Sequence, residues 1–165
     1  MKKVAIIIGS DSDIPAVSDA VRQLRELDIP IEARIISAHR TPYEAEQFAG
    51  SARSNGFGAI IAAAGKAAAL PGVIAAYTTL PVIGLPVKSS TMDGLDSLLS
   101  IVQMPSGVPV ATVAIGGAQN AALLAAQILA VSDGALAEKL GLLRESMAEK
   151  IREKDKKLQS EIENI

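Results

Sequence analysis

Three short polar stretches interrupt the apolar runs of this chain, and each carries side chains able to do chemistry. Ser37-Ala38-His39-Arg40-Thr41-Pro42 holds the only histidine. An imidazole can both give and take a proton near neutral pH, and Arg40 beside it offers forked donors for a phosphate or carboxylate. The same pair would also serve as an ordinary polar loop end. Gly9-Ser10-Asp11-Ser12-Asp13 lets the backbone come close to a ligand, and the helix that follows presents N–H groups to an anion. Its carboxylates suit sugar hydroxyls better than a phosphate. Ser and Asp are equally at home as helix N-caps, which is the plainer account of them. Ala64-Gly65-Lys66-Ala67-Ala68-Ala69-Leu70-Pro71-Gly72 is a small-residue loop with one cation. It lacks the Gly-x-x-x-x-Gly-Lys-Ser/Thr spacing, so a phosphate loop of the nucleotide triphosphatases is rejected. A close backbone approach to a ligand and a tight turn into an Ala-rich helix both fit it.

These loops must be held by the elements between them. Val4–Ile8 is a short, continuously apolar, β-branched run, as expected of a strand buried on both faces. Apolar residues at helical spacing follow over Ile14–Leu27. Ile31–Ile36 reads as a second strand. A helix opens at Thr41-Pro42, where proline's missing N–H would be unpaired anyway, and runs to Ser54. Phe57–Ala63, Pro81–Leu85 and Val110–Ala114 read as strands three to five. Ala67–Tyr77, Asp93–Ile101 and Asn120–Leu129 read as helices, and Gly134–Ile162 as a long, increasingly charged one. Strand and helix in alternation predict one α/β domain over 1–165, a three-layer parallel sheet. The flavodoxin-like order 2-1-3-4-5 is expected. In such sheets ligands bind beyond the carboxyl ends of the strands, near the point where the order reverses. All three polar stretches fall there, as do Gly84 and Pro86 at the fourth strand.

Composition narrows the function. Net charge is −2 at pH 7, which gives no basic footprint for nucleic acid. There is no cysteine and one histidine, so disulfides, thiolate sites and multi-histidine metal sites are excluded. The leading apolar run is too short for a signal sequence. No run approaches the about 20 apolar residues of a membrane span. A cytoplasmic protein is expected.

Taken together, Gly-Ser-Asp-Ser-Asp, Ser-Ala-His-Arg-Thr-Pro, Leu-Pro-Gly and the stretch from Gly94 to Pro105 (Gly-Leu-Asp-Ser-Leu-Leu-Ser-Ile-Val-Gln-Met-Pro) resemble the class I N5-carboxyaminoimidazole ribonucleotide mutases of purine biosynthesis. Pro-Val-Ala-Thr-Val-Ala-Ile and Asn120–Ala125 match as well, so the resemblance covers nearly the whole chain in order. It implies an isomerase that moves a carboxylate from the exocyclic nitrogen to ring carbon four of an aminoimidazole ribonucleotide, with neither metal nor ATP and no cofactor. Carbon dioxide would be a transient intermediate. The resemblance makes His39 the general acid–base. It places Ser10, Asp13 and Arg40 on the ribose and phosphate, with Gly9, Ser37, Ala64, Gly65, Lys66, Gly84 and Pro86 around the substrate. It also implies a homo-octamer in which the helix over 134–162 packs on neighbouring subunits.

The third loop departs from the family. Mutases usually read Ala-Gly-x-Ala-Ala-His-Leu-Pro-Gly there, with a small or apolar x; here Lys66 stands at x and Ala69 replaces the histidine. The related direct carboxylases carry a different polar loop and a lysine where Arg40 stands. A paralog acting on another carboxylated or phosphorylated heterocycle is therefore an alternative. A non-catalytic nucleotide-binding protein of the same fold is another, against which the retained His39 speaks. A flavin binder is disfavoured, because aromatics make up 2% of the chain and flavin rings commonly stack on them.

Overall fold

The computed structural model describes residues 1–163. The strands are β1 Lys3–Ile8, β2 Ile31–Ile35, β3 Phe57–Ala64, β4 Val82–Pro86 and β5 Ala111–Thr112. They make one parallel sheet in the order β2-β1-β3-β4-β5. The helices are α1 Ile14–Glu26, α2 Pro42–Ala52, α3 Leu70–Ala76, α4 Leu95–Val102, α5 Ala118–Ala130 and α6 Gly134–Glu163. None of them is long and apolar enough to cross a membrane.

Alternation along each strand splits the core in two. Val4, Ile6, Ala59, Ile61 and Ile83 face α1 and α5, with Leu136 of α6 closing that side. Ala5, Ile7, Ile60, Ala62 and Val82 face α2, α3 and α4. β1 and β3, central in the sheet, are buried on both faces apart from the first residue of β1, whereas the outer strand β2 leaves Ala33, Arg34 and Ile35 exposed. Alanines at Ala121, Ala122, Ala125 and Ala126, all inaccessible to solvent, bring α5 close to the sheet and to α1. Small side chains permit that approach, and dense packing supplies the dispersion energy.

Most element ends fall within two residues of the sequence expectation, and three differences have a backbone reason. The helix expected from Ala67 begins at Leu70. Lys66 is left-handed (φ 57) and its carbonyl accepts from the Ala68 N–H at 2.8 Å, so a tight turn occupies the first residues. The helix expected from Asp93 begins at Leu95, because Asp93 (φ 55) and Gly94 (φ 100) are also left-handed. The fifth strand is only Ala111–Thr112, an edge with one partner, after Pro109, which has no N–H to pair.

Candidate active site

A cleft of about 650 Å³ opens beyond the carboxyl ends of β1, β2, β3 and β4, at the point where the strand order reverses. That volume lies within the range of small-molecule sites. The first loop supplies Gly9, Ser10, Ser12 and Asp13; the second Ser37, Ala38, His39 and Arg40; the third Ala64 to Leu70; the fourth Val87 to Ser90.

The second loop is locked from within. The Ser37 N–H donates to Thr41 Oγ1 at 2.9 Å, Thr41 Oγ1 donates to the Ser37 carbonyl at 3.1 Å, and the Thr41 N–H donates to the same carbonyl at 2.9 Å. This closed turn holds Ala38 and His39 between its ends. Arg40 ties the second loop to the first: its Nη2 donates to the Gly9 carbonyl at 3.1 Å and its Nε to Ser37 Oγ at 3.4 Å. In the first loop Ser10 is extended (φ −155) and caps a short 3-10 turn, Asp11–Asp13, accepting from the Ser12 N–H at 3.4 Å. The N-cap account of Ser10 and its place in the cleft therefore hold together. Partial burial raises the Asp13 carboxyl above the usual 3.8; the Asp11 charge adds to this, and backbone hydrogen bonds with Ser10 and Gly9 oppose it.

The third and fourth loops are bound to each other. The Val87 N–H donates to the Ala64 carbonyl at 2.9 Å. Ser97, fully buried, donates to the Val87 carbonyl at 2.7 Å, and Ser89 donates to Asp96 at 2.7 Å. Lys88 pairs with Asp93 at 2.8 Å.

Gly9, Ser10, Asp13, Ser37, His39, Arg40, Ala64, Gly65 and Lys66 thus come together around one cleft. Gly84 and Pro86, expected beside them, lie buried within β4 instead. A Cβ on Gly84 would collide with Ile101 Cγ2 and reach Val110 Cγ1 at 2.9 Å, so this glycine serves helix-on-sheet packing. The Gly84 and Pro86 carbonyls accept from Val113 and Gly116 of the neighbouring segment. The cleft wall at this end is Lys88-Ser89-Ser90, which the sequence reading did not single out. Its signal was a polar run directly after the fourth apolar run.

The family described as AIR carboxylase matches residues 3–150. The chain belongs to the AIR carboxylase family. Within it, the N5-carboxyaminoimidazole ribonucleotide mutase of Pyrococcus horikoshii is 56% identical over 156 residues, covering 94% of this chain and 88% of that one. The phosphoribosylaminoimidazole carboxylase of Candida glabrata is 50% identical over 95% of this chain, which spans 28% of that longer protein. The crystal structure of Treponema denticola PurE superposes with a TM-score of 0.86 at 33% identity, covering 94% of this chain and 97% of that one. As an AIR carboxylase family member, the chain presents one imidazole, two backbone-lined loops and cations on several walls of a single cleft. That arrangement can hold an anionic nucleotide and move a proton on it.

Proposed function

We propose that this protein is an N5-carboxyaminoimidazole ribonucleotide mutase, producing 4-carboxy-5-aminoimidazole ribonucleotide in purine biosynthesis. The observation that carries the reading is the convergence of His39, Arg40 and the Gly9–Asp13 loop on one cleft in a chain more than half identical to proteins of that name. Arg40 and the first loop bind the phosphate and ribose. His39 protonates the carbamate nitrogen as its bond to the carboxyl carbon breaks, which releases carbon dioxide within the cleft. Carbon four of the imidazole then attacks the carbon dioxide. His39, now neutral, removes the carbon-four proton and restores aromaticity. One group exchanging protons near neutrality suffices for both transfers, and retention of the gas makes recapture effectively intramolecular. No atom is gained or lost overall.

The working form is proposed to be a cytoplasmic homo-octamer with α6 packed on neighbouring subunits, which the long, partly apolar helix supports. The altered third loop favours one second reading, a paralog for a different carboxylated heterocycle. Mixing purified protein with N5-carboxyaminoimidazole ribonucleotide, and following the ultraviolet absorbance of the carbon-carboxylated product, decides between them. Absence of turnover over the spontaneous rate would sink the mutase reading.

A further inference from the structure

The cleft carries three long cationic side chains, and two of them already have partners. Lys88 is paired with Asp93 at 2.8 Å. Arg40 is turned toward the first loop by its bonds to the Gly9 carbonyl and Ser37 Oγ. Lys66 lines the same cleft from the third loop and pairs with no carboxylate among the described residues. Its backbone is left-handed, with φ 57. A non-glycine residue with a long side chain is uncommon in that region, and glycine would take it freely. Residues held in such conformations cluster at ligand clamps and active sites. Ala69 and its alanine neighbours offer no polar side chain, so Lys66 is the one charged side chain of the third loop.

The substrate proposed above has anionic groups at opposite ends, a phosphate and a carboxylate. The tethered Arg40 and the unpaired Lys66 stand on separate walls of the cleft, Arg40 beyond β2 and Lys66 beyond β3, with β1 between these strands. Arg40's tether to the first loop commits it to the phosphate and ribose end. We infer that Lys66 is a specificity-determining residue that holds the substrate's carboxylate at the end of the cleft away from Arg40. The inference rests on the mutase reading. A lysine suits the task because its ammonium is a compact charge on a flexible stem. It can meet the carboxylate on nitrogen before carbon dioxide is released and on carbon after recapture, without rebuilding a planar pair of bonds.

The test uses the full-length protein and two nucleotides, 4-carboxy-5-aminoimidazole ribonucleotide and its decarboxylated counterpart. Lys66→Gly removes the charge and keeps the backbone conformation, since glycine adopts positive φ without strain. Lys66→Arg keeps the charge. Loss of one charge-assisted hydrogen bond should weaken binding of the carboxylated nucleotide by about 10- to 100-fold in Lys66→Gly. Binding of the decarboxylated one should change by less than about twofold on the same principle, because the lost charge has no partner there. Lys66→Arg should recover most of the lost affinity. Equal weakening for both nucleotides, or none for either, overturns the assignment while wild-type turnover leaves the mutase reading intact. If the wild-type protein neither binds the carboxylated nucleotide nor isomerises its substrate, both readings fall together. In that case Lys66→Gly cannot rescue the inference.

Discussion

His39 is held by a loop whose hydrogen bonds are supplied by its neighbours and not by its own ring. The mutual bonds of Ser37 and Thr41 fix the backbone on either side of it, so replacing the ring should leave the loop in place. His39→Asn is accordingly expected to lower turnover by about 10²–10⁴-fold, the usual contribution of general acid–base catalysis, with nucleotide affinity largely kept. Steady-state turnover beside a binding titration measures the split; near-normal turnover would remove His39 from the reaction. Asp13 allows a second residue-scale prediction. Burial raises its carboxyl above 3.8, so the folded chain binds this proton more tightly than the unfolded chain. That favours folding fully below pH 3.8, and the advantage is lost as pH rises through the folded pKa. At neutral pH the ionised group therefore costs stability relative to its protonated form, at a position that lines the cleft. Asp13→Asn should therefore hold or slightly raise Tm at pH 7 while weakening nucleotide binding. Its Tm difference from wild type should shrink in acid as the wild-type carboxyl takes up its proton. A variant destabilised equally at pH 4 and pH 7 would instead mark Asp13 as a structural cap. Lys88, Ser89 and Ser90 escaped the sequence reading at this scale, because a Lys-Ser-Ser run reads as an ordinary solvated turn until β4 is known to end beside β3.

At the scale of elements, apolar run length and the Gly, Pro and Asp breaks between runs were enough to place five strands, while their order, 2-1-3-4-5, followed from the flavodoxin-like expectation for alternating strands and helices joined by right-handed crossovers. Burial on both faces makes a parallel strand read as an unbroken run in the sequence itself. What hydrophobic pattern cannot register is backbone handedness. Lys66, Asp93 and Gly94 all adopt positive φ, and two helices begin two or three residues later than their apolar pattern suggested. Nor can pattern distinguish a glycine that admits a ligand from one that admits a neighbouring helix. Gly84 is of the second kind, pressed by Ile101 of α4 and by Val110. Gly84→Ala should overpack this side of the sheet at a cost of about 1–3 kcal/mol. For a domain of this size Tm falls by roughly 2–4 °C per kcal/mol. Since Gly84 lies away from the cleft, the folded fraction should bind nucleotide with nearly wild-type affinity. Calorimetry with a binding titration checks both halves; unchanged Tm with lost binding would return Gly84 to the site.

For the whole molecule the unresolved demand is the apolar face of α6. Leu136 at its start is fully buried and Leu140 packs against the same core. Steps of three or four residues then carry one stripe onward through Met147 and Ile151, and it resumes at Leu158 and Ile162. These four are 49%, 64%, 52% and 60% exposed. A helix of 30 residues is roughly 45 Å long at 1.5 Å per residue, and only its first turns meet α5 and the sheet. The ion pairs along the rest, Arg152 with Glu145 and Glu149 and Lys157 with Glu161, lie within the helix, are screened by salt and give it no partner. Burying an exposed large aliphatic side chain yields about 1.5–3 kcal/mol, so four on one stripe make a strong drive to associate. The stripe is long, narrow and interrupted by Lys154, which suits a groove on another copy better than a wide lipid-facing surface. Light scattering of the wild-type protein at micromolar concentration should therefore report an assembly, with eight copies of the 17.0 kDa chain as the proposed number. Met147→Lys with Ile151→Lys should break it into smaller species whose circular dichroism remains that of a folded α/β domain, because neither residue belongs to the core. A wild-type monomer, or an assembly indifferent to both lysines, would show that α6 is not what joins the subunits.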